Sequence, residues 1–499
     1  MRRRTVLATL ATGAAVGSAR AHPTSTGDGA GAGASDPESD VTPLGTLALP
    51  EAREAVVAGT TVYVATLDGF AAVDASDPAA PRVLARRTDL LADRENGPLT
   101  GVQDLAVDGD RLLAVGPANG RAPLMGAVVF DVTDPAAPAR VAVHETDYPV
   151  HNSDLADGVA YLTGNGAPGN PLVTVDADAG AELGRWSLVE HDDAWADVAP
   201  RLRVLHDVWV QDGRAYLAHW DAGTWILDVT DPAAPAVVSR VRGRSAADLA
   251  AVSDDDLRRE YLETPGNDHF VAVDESADLL GVGAEAWDAD GDRVGGPGGI
   301  SLYDVSAPER PERVGELAPP ATPDPSMGGV WTTAHNFRLR DGRCYAAWYQ
   351  GGVTVHDVTD PGDPRRVLAW RDSDRTRFWT AVPGAGDWVA APTMGTDDAD
   401  PALFLFPDAP ADRATATPVS TAPVTPSSAV PGRPSSTATA PRSSTRTAPA
   451  PGDGTPAEGS GDAASPPSGV SAVGTEAAVD GGVLAAVVAL AAVAWRRWG

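Results

Sequence analysis

The chain has 499 residues, of which 69 are acidic and 38 basic, giving a formal net charge of −31. Every basic residue is an arginine, and so acidic a surface repels phosphate backbones, which excludes nucleic acid as a partner class. The single cysteine, Cys344, excludes an intramolecular disulfide and any multi-cysteine zinc site. With Tyr345, Ala346 and Ala347 beside it, it reads as a small residue packed in a strand.

Residues 1–21 read as a signal peptide. Arg2-Arg3-Arg4-Thr5-Val6-Leu7 leads into an Ala-rich apolar stretch, and Ala19-Arg20-Ala21 fits a small-residue cleavage site. Adjacent arginines followed by an apolar residue resemble the twin-arginine class, which exports folded proteins. Residues 22–44 form a linker.

Residues 45–407 are a repeat. The phrase Asp-Val-Thr-Asp-Pro-x-x-Pro runs from Asp131, from Asp228 and from Asp357, with weaker copies from Asp74 and Asp304. A glycine stands five residues before the first Asp in each copy, at Gly69, Gly126, Gly223, Gly299 and Gly352. Glycine closes a hairpin, the alternating apolar run forms a strand, and Asp-Pro opens a turn. A second strand pair lies upstream, as in His206-Asp207-Val208-Trp209-Val210, the turn Asp212-Gly213, and Ala215-Tyr216-Leu217-Ala218. Each unit therefore supplies four short strands. Units spaced by about 40 to 65 residues are what an all-β propeller requires, since one blade cannot bury both faces alone. Equivalent positions at Arg53, Gln103, His151, His206, His269, His335 and Phe378 predict seven four-stranded blades. The last unit is degenerate, which leaves six blades with shared closure as the alternative. Insertions such as Trp287 to Gly298 are expected in hairpin loops.

Four of those seven equivalent positions are histidines, in a chain that has nine. If first strands line the channel, His151, His206, His269 and His335 cluster near one mouth. With carboxylates such as Asp104 and Asp207 nearby, they would suit Cu, Zn or Fe. The competing reading makes them fasteners that hydrogen-bond between blades. Asp288-Ala289-Asp290-Gly291-Asp292 opens like a calcium loop, but Arg293 and Gly299 stand where glycine and glutamate are needed, so a solvated acidic hairpin is expected. Nucleophile-elbow, phosphate-loop and zincin motifs do not occur.

Residues 408–476 are rich in Pro, Ser, Thr and Ala, as in Pro426-Ser427-Ser428-Ala429-Val430-Pro431, and cannot bury enough apolar surface to offset chain entropy. They read as a disordered stalk with hydroxyls suited to O-glycosylation. Residues 477–499 read as a C-terminal transmembrane helix that anchors the chain in a membrane. The apolar run Gly481 to Trp495 is about 23 Å long as a helix and is closed by Arg496-Arg497 at the interface.

The repeated phrases resemble the LVIVD-repeat family, whose units carry an apolar strand running into this Asp-Pro turn. That resemblance implies a propeller over residues 50 to 407 and fixes no activity. The Lys-free, acidic composition resembles that of haloarchaeal exported proteins. A histidine-held metal in a propeller is a theme shared with the selenium-binding proteins, whose motifs are absent here. The expected function is a binding or scaffolding module outside the cell, with a surface ligand or protein partner. The rival is a metal-dependent oxidoreductase using the four histidines, and a third reading is a purely structural surface component.

Overall fold

The structure, a computed structural model, describes residues 41–166 and 168–408. The expected signal peptide, most of the expected linker, and the expected stalk and C-terminal anchor beyond residue 408 lie outside the described residues. Among the described residues, no helix is long and apolar enough to cross a membrane.

Seven four-stranded antiparallel sheets form the seven expected blades. Their first strands are Ala52–Ala58, Asp104–Asp108, Val150–Ala156, Asp207–Gln211, Asp268–Val273, Phe337–Arg340 and Val382–Pro383. Each packs against the first strand of the next blade, and the seventh returns to the first, so the circuit closes around an axis. The three central strands of the seventh blade come from the C-terminal part of the repeat. Its outer strand, Gly45–Ala48, comes from the beginning of the chain and pairs with Ala402–Pro407. The expected seven blades are present, and the six-blade alternative is overturned, since the degenerate last unit is completed by the strand from the beginning of the chain.

The Asp-rich phrase builds one turn repeatedly. Asp131 Oδ1 accepts the Thr133 N–H at 2.9 Å, and Asp134 Oδ1 accepts that of Ala136 at 3.0 Å. The same pair recurs at Asp228 and Asp231, and at Asp357 and Asp360. In the third blade, which lacks Asp-Pro, Asp176 Oδ1 alone caps Asp178 and Ala179. These side chains satisfy amides that the ladder leaves free, and so end the third strand. The repeat glycine opens that strand for a different reason. At Gly223 and Gly352 φ is +84° and +92°, and a Cβ would stand 1.8 and 2.0 Å from the carbonyl oxygens of Arg242 and Trp370. Only glycine lets the third and fourth strands meet there.

Apolar residues of neighbouring blades interdigitate, as where Tyr63, Phe70, Leu112 and Phe130 share one cluster between the first two blades. Cys344 lies buried in the strand Arg343–Ala347, where burial pushes its thiol up, as expected of a packing residue. Insertions depart in part from expectation. Residues 287–298 do lie in a hairpin loop, but the longest insertions, 187–206, 241–267 and 318–336, link the outer strand of one blade to the first strand of the next. Two of them carry short helices, including Leu188–His191 and Leu257–Leu262. The link between blades lies on the face where first strands begin, so it can lengthen without disturbing a ladder.

Candidate metal centre at the channel mouth

Antiparallel order fixes which residues meet at each face. First strands begin, and second strands end, on the same side of the ring. The equivalent position at the start of the first strand therefore presents His151, His206, His269 and His335 side by side. Consecutive ring centroids are 4.2, 4.0 and 4.8 Å apart. All four are buried. His151 Nδ1 lies 2.9 Å from the Ala118 carbonyl, His206 Nδ1 2.9 Å from that of His269, and His335 Nδ1 2.5 Å from that of Trp379. Each bond crosses to a neighbouring blade, as the fastener reading expects. A carbonyl can only accept, so each Nδ1 carries the proton and each Nε2 keeps a free lone pair, the tautomer a metal needs.

His269 differs from the others. Its Nδ1 is buried without a hydrogen-bond partner, and its Nε2 lies 3.6 Å from Glu285 Oε2. Glu285 follows the end of the second strand Leu279–Ala284. His269, Glu285 and His335, all buried, each bring a ligand atom to within 4.8 Å of the other two. Burial pushes the Glu285 carboxyl up to about 7, and holds His151 down to about 4 and His335 to about 3. His206 and His269 are held well below the usual imidazole range by burial and by the other imidazoles. Neutral imidazoles beside a buried carboxyl form a donor set for a borderline divalent ion.

Aromatic residues frame the row. Trp220 stacks on Tyr261 at 5.0 Å and touches both His206 and His269. Tyr349 lies 4.4 Å from the His335 ring and donates its hydroxyl to Glu285 Oε1 at 2.6 Å. Trp220 and Tyr349 sit just beyond the second strands of their blades, with φ of +48° and +50°. Bulky residues rarely adopt that conformation, and its strain concentrates at functional sites.

Asp104 and Asp207, expected near the imidazoles, serve as links between first strands. Asp104 Oδ2 accepts from Ser153 N and Oγ at 2.8 and 2.7 Å. Asp207 accepts from Asn152 Nδ2 and from the Val271 N–H. The sequence reading missed Glu285 and Tyr349. A polar or aromatic residue just past a second strand, at Glu285, Tyr349 and Trp220 alike, is the signal that would have found them.

The Asp288 loop closes on itself. Asp288 Oδ1 and Oδ2 accept the Gly291 and Arg293 N–H groups at 2.7 and 2.8 Å, and Asp290 lies 3.8 Å from Arg258. Glu263, Asp288 and Asp292 do approach within 4.8 Å of one another, but Glu263 Oε1 is bonded to the Ala289 amide. Asp290 and Asp292 are exposed, as a solvated hairpin expects, whereas Asp288 is buried.

The closed ring of first strands with a polar mouth defines a seven-bladed β-propeller. Residues 51–88 and 204–242, which span the first and fourth blades, match the LVIVD repeat. The chain is accordingly a seven-bladed β-propeller that carries LVIVD repeats in two of its blades. No curated protein matches the sequence. Similar solved structures include the β-propeller domain of Cps50 (Swd1) from Myceliophteria thermophila, 11% identical, with a TM-score of 0.48 over 72% of this chain and 98% of that one. The RRP9 WD40 repeats are 10% identical, with a TM-score of 0.49 over 73% and 96%. BamB from Moraxella catarrhalis is 10% identical, with a TM-score of 0.42 over 74% and 97%.

Proposed function

We propose that this propeller is an exported binding module, held at the cell surface by its C-terminal segment, whose channel mouth carries a Cu, Zn or Fe ion. The fold and repeat suit a binding or scaffolding module. The signal-like start, Pro/Ser/Thr-rich tract and apolar end of the sequence support the location. The metal reading rests on one observation: the buried convergence of His269, Glu285 and His335 within 4.8 Å, with His269 Nδ1 unpartnered. His206 and His151 extend the row and complete the imidazole supply.

The test is metal content of the purified full-length chain by mass spectrometry, beside the variant His269→Ala/His335→Ala. One tightly held ion per chain, lost in the variant, supports the reading. A chain that takes up no ion after reconstitution with copper, zinc or iron leaves the histidines as fasteners between blades.

A metal-dependent oxidoreductase is the second reading, favoured by the Tyr349 hydroxyl on Glu285, which sets a proton donor against the proposed centre. Electron paramagnetic resonance of the copper-loaded chain separates the two. A position that exchanges with added azide favours chemistry, and a closed coordination shell favours binding alone.

A further inference from the structure

The seven equivalent channel positions are not all histidine. On the side of the ring where the seventh blade meets the first, the corresponding residue is Arg53, and Arg377 precedes Phe378. Both guanidinium groups face the frame of the proposed centre. Arg53 lies over Trp379, 5.7 Å from the ring, and Trp379 is 4.5 Å from His335. Arg377 lies over Trp331 at 5.3 Å, and Trp331 touches Tyr349 at 5.2 Å. Arg53 feels the charge of Arg377, and the Tyr349 hydroxyl lies in the field of both.

Their hydrogen-bonding capacity is poorly used. Arg53 donates Nη1 to the carbonyl of its own neighbour Ala52, and the buried Nε of Arg377 has no partner. Burial lowers the affinity of both guanidinium groups for their protons. Glu51 and Asp397 act on them electrostatically, Glu51 on Arg53 and Asp397 on Arg377. Other arginines are spent on carboxylates, as Arg338 is on Glu54 at 3.2 Å and Arg242 on Asp268, or on backbone carbonyls, as Arg203 is on Val198 and Arg240 on Arg242. Two half-buried cations with donors to spare are costly unless an anion joins them. A guanidinium fork matches the paired oxygens of a carboxylate or phosphate.

We propose that Arg53 and Arg377 receive an oxyanionic group, a carboxylate or a phosphate, on the ligand of the channel mouth, beside His269, Glu285 and His335. The inference rests on the reading of that mouth as a ligand site and names the class of ligand it takes. Trp331, Trp379 and Tyr349 supply flat walls between the two parts of the site.

The experiment is calorimetric titration of the full-length chain with malonate and, separately, with inorganic phosphate, in a chloride-free buffer, with and without zinc. The zinc-loaded chain is expected to bind one of the two anions, and Arg53→Gln/Arg377→Gln to bind it at least about tenfold more weakly at unchanged zinc content. Malonate binding alone assigns a carboxylate, and phosphate binding alone a phosphate. Equal binding by chain and variant, or no binding of either anion, overturns the proposal. If the chain holds no zinc but the zinc-free chain binds an anion through these arginines, the metal reading falls and this one stands. The single variants, each expected to weaken binding at least about threefold, decide the matter if the double variant fails to fold.

Discussion

Asn152 and Asp207, on the first strands of adjacent blades, are joined by a buried hydrogen bond of 2.8 Å from Nδ2 to Oδ1. The other oxygen of Asp207 accepts the Val271 amide of the following blade at 2.9 Å, so one carboxyl fastens three blades together. Asp154 joins two blades in the same way, accepting the Val210 amide at 2.6 Å while its other oxygen accepts that of its neighbour Leu155.

Replacing Asp207 with Ala strands two buried donors at once. The expected loss is about 2 to 4 kcal/mol of unfolding free energy. Asp207→Asn, which keeps an acceptor oxygen, should recover part of it. Chemical denaturation of the three proteins checks the order, and an unchanged midpoint for Asp207→Ala would falsify the fastening role.

Gly223→Ala is expected to destabilise the fold by about 2 kcal/mol or more, because φ is +84° and the new methyl meets the Arg242 carbonyl. Gly59, also at positive φ but with open space around its absent Cβ, should cost about 1 kcal/mol when replaced by Ala. Thermal melts of the two variants separate collision from backbone strain.

Acid should act on the metal-free chain in two opposed ways. Burial holds His151 down to about 4 and His335 to about 3, against an ordinary 6.5. The unfolded chain takes up protons below pH 6.5 that the folded chain refuses, so these groups withdraw stability as pH falls toward 4 and then 3. Burial raises Asp154 to about 6 and Asp207 and Glu285 to about 7. Their protonated forms favour the folded state, a contribution fully present below the unfolded carboxyl range and lost as pH rises through 6 to 7. In His151→Gln/His335→Gln only the first effect weakens. Its stability relative to the parent should therefore climb as pH drops from 6.5 to 4, by up to about 1.4 kcal/mol per pH unit for each proton no longer taken up. A pH-independent difference in denaturation midpoints would contradict that assignment.

Removing residues 1–49 takes away the outer strand of the seventh blade and leaves the edge of Ala402–Pro407 unpaired. Open edges recruit other strands. The truncated chain should self-associate in size-exclusion chromatography, whereas a chain lacking only residues 1–40 should elute like its parent.

The blades were legible because their marker is local. An Asp-Pro turn needs only its own side chain, so Asp131, Asp228 and Asp357 announce the end of a third strand wherever they stand. The histidine row was legible for a related reason, since a fixed offset within each unit becomes adjacency around the ring. Glu285 and Tyr349 stand one and two residues past the second strands of their blades, where residue type varies from blade to blade, so no repeated phrase marks them. Their approach to His269 and His335 depends on how far each second strand extends toward the mouth. Asp104 and Asp207 show the reverse case: the residue types suited a metal, but the neighbouring amides of Ser153 and Val271 lay closer and claimed them.

The closing strand also fixes how the propeller faces its surroundings. Gly45 begins the outer strand of the seventh blade beside Leu405, and the strand Ala402–Pro407 ends two residues later, so the first and last strands of the ring start and stop at one corner of one blade. That corner lies on the side of the Asp-Pro turns, opposite the imidazoles. Residue 408 thus lies on the face of the ring opposite the histidine mouth, beside the first residue of the closing strand.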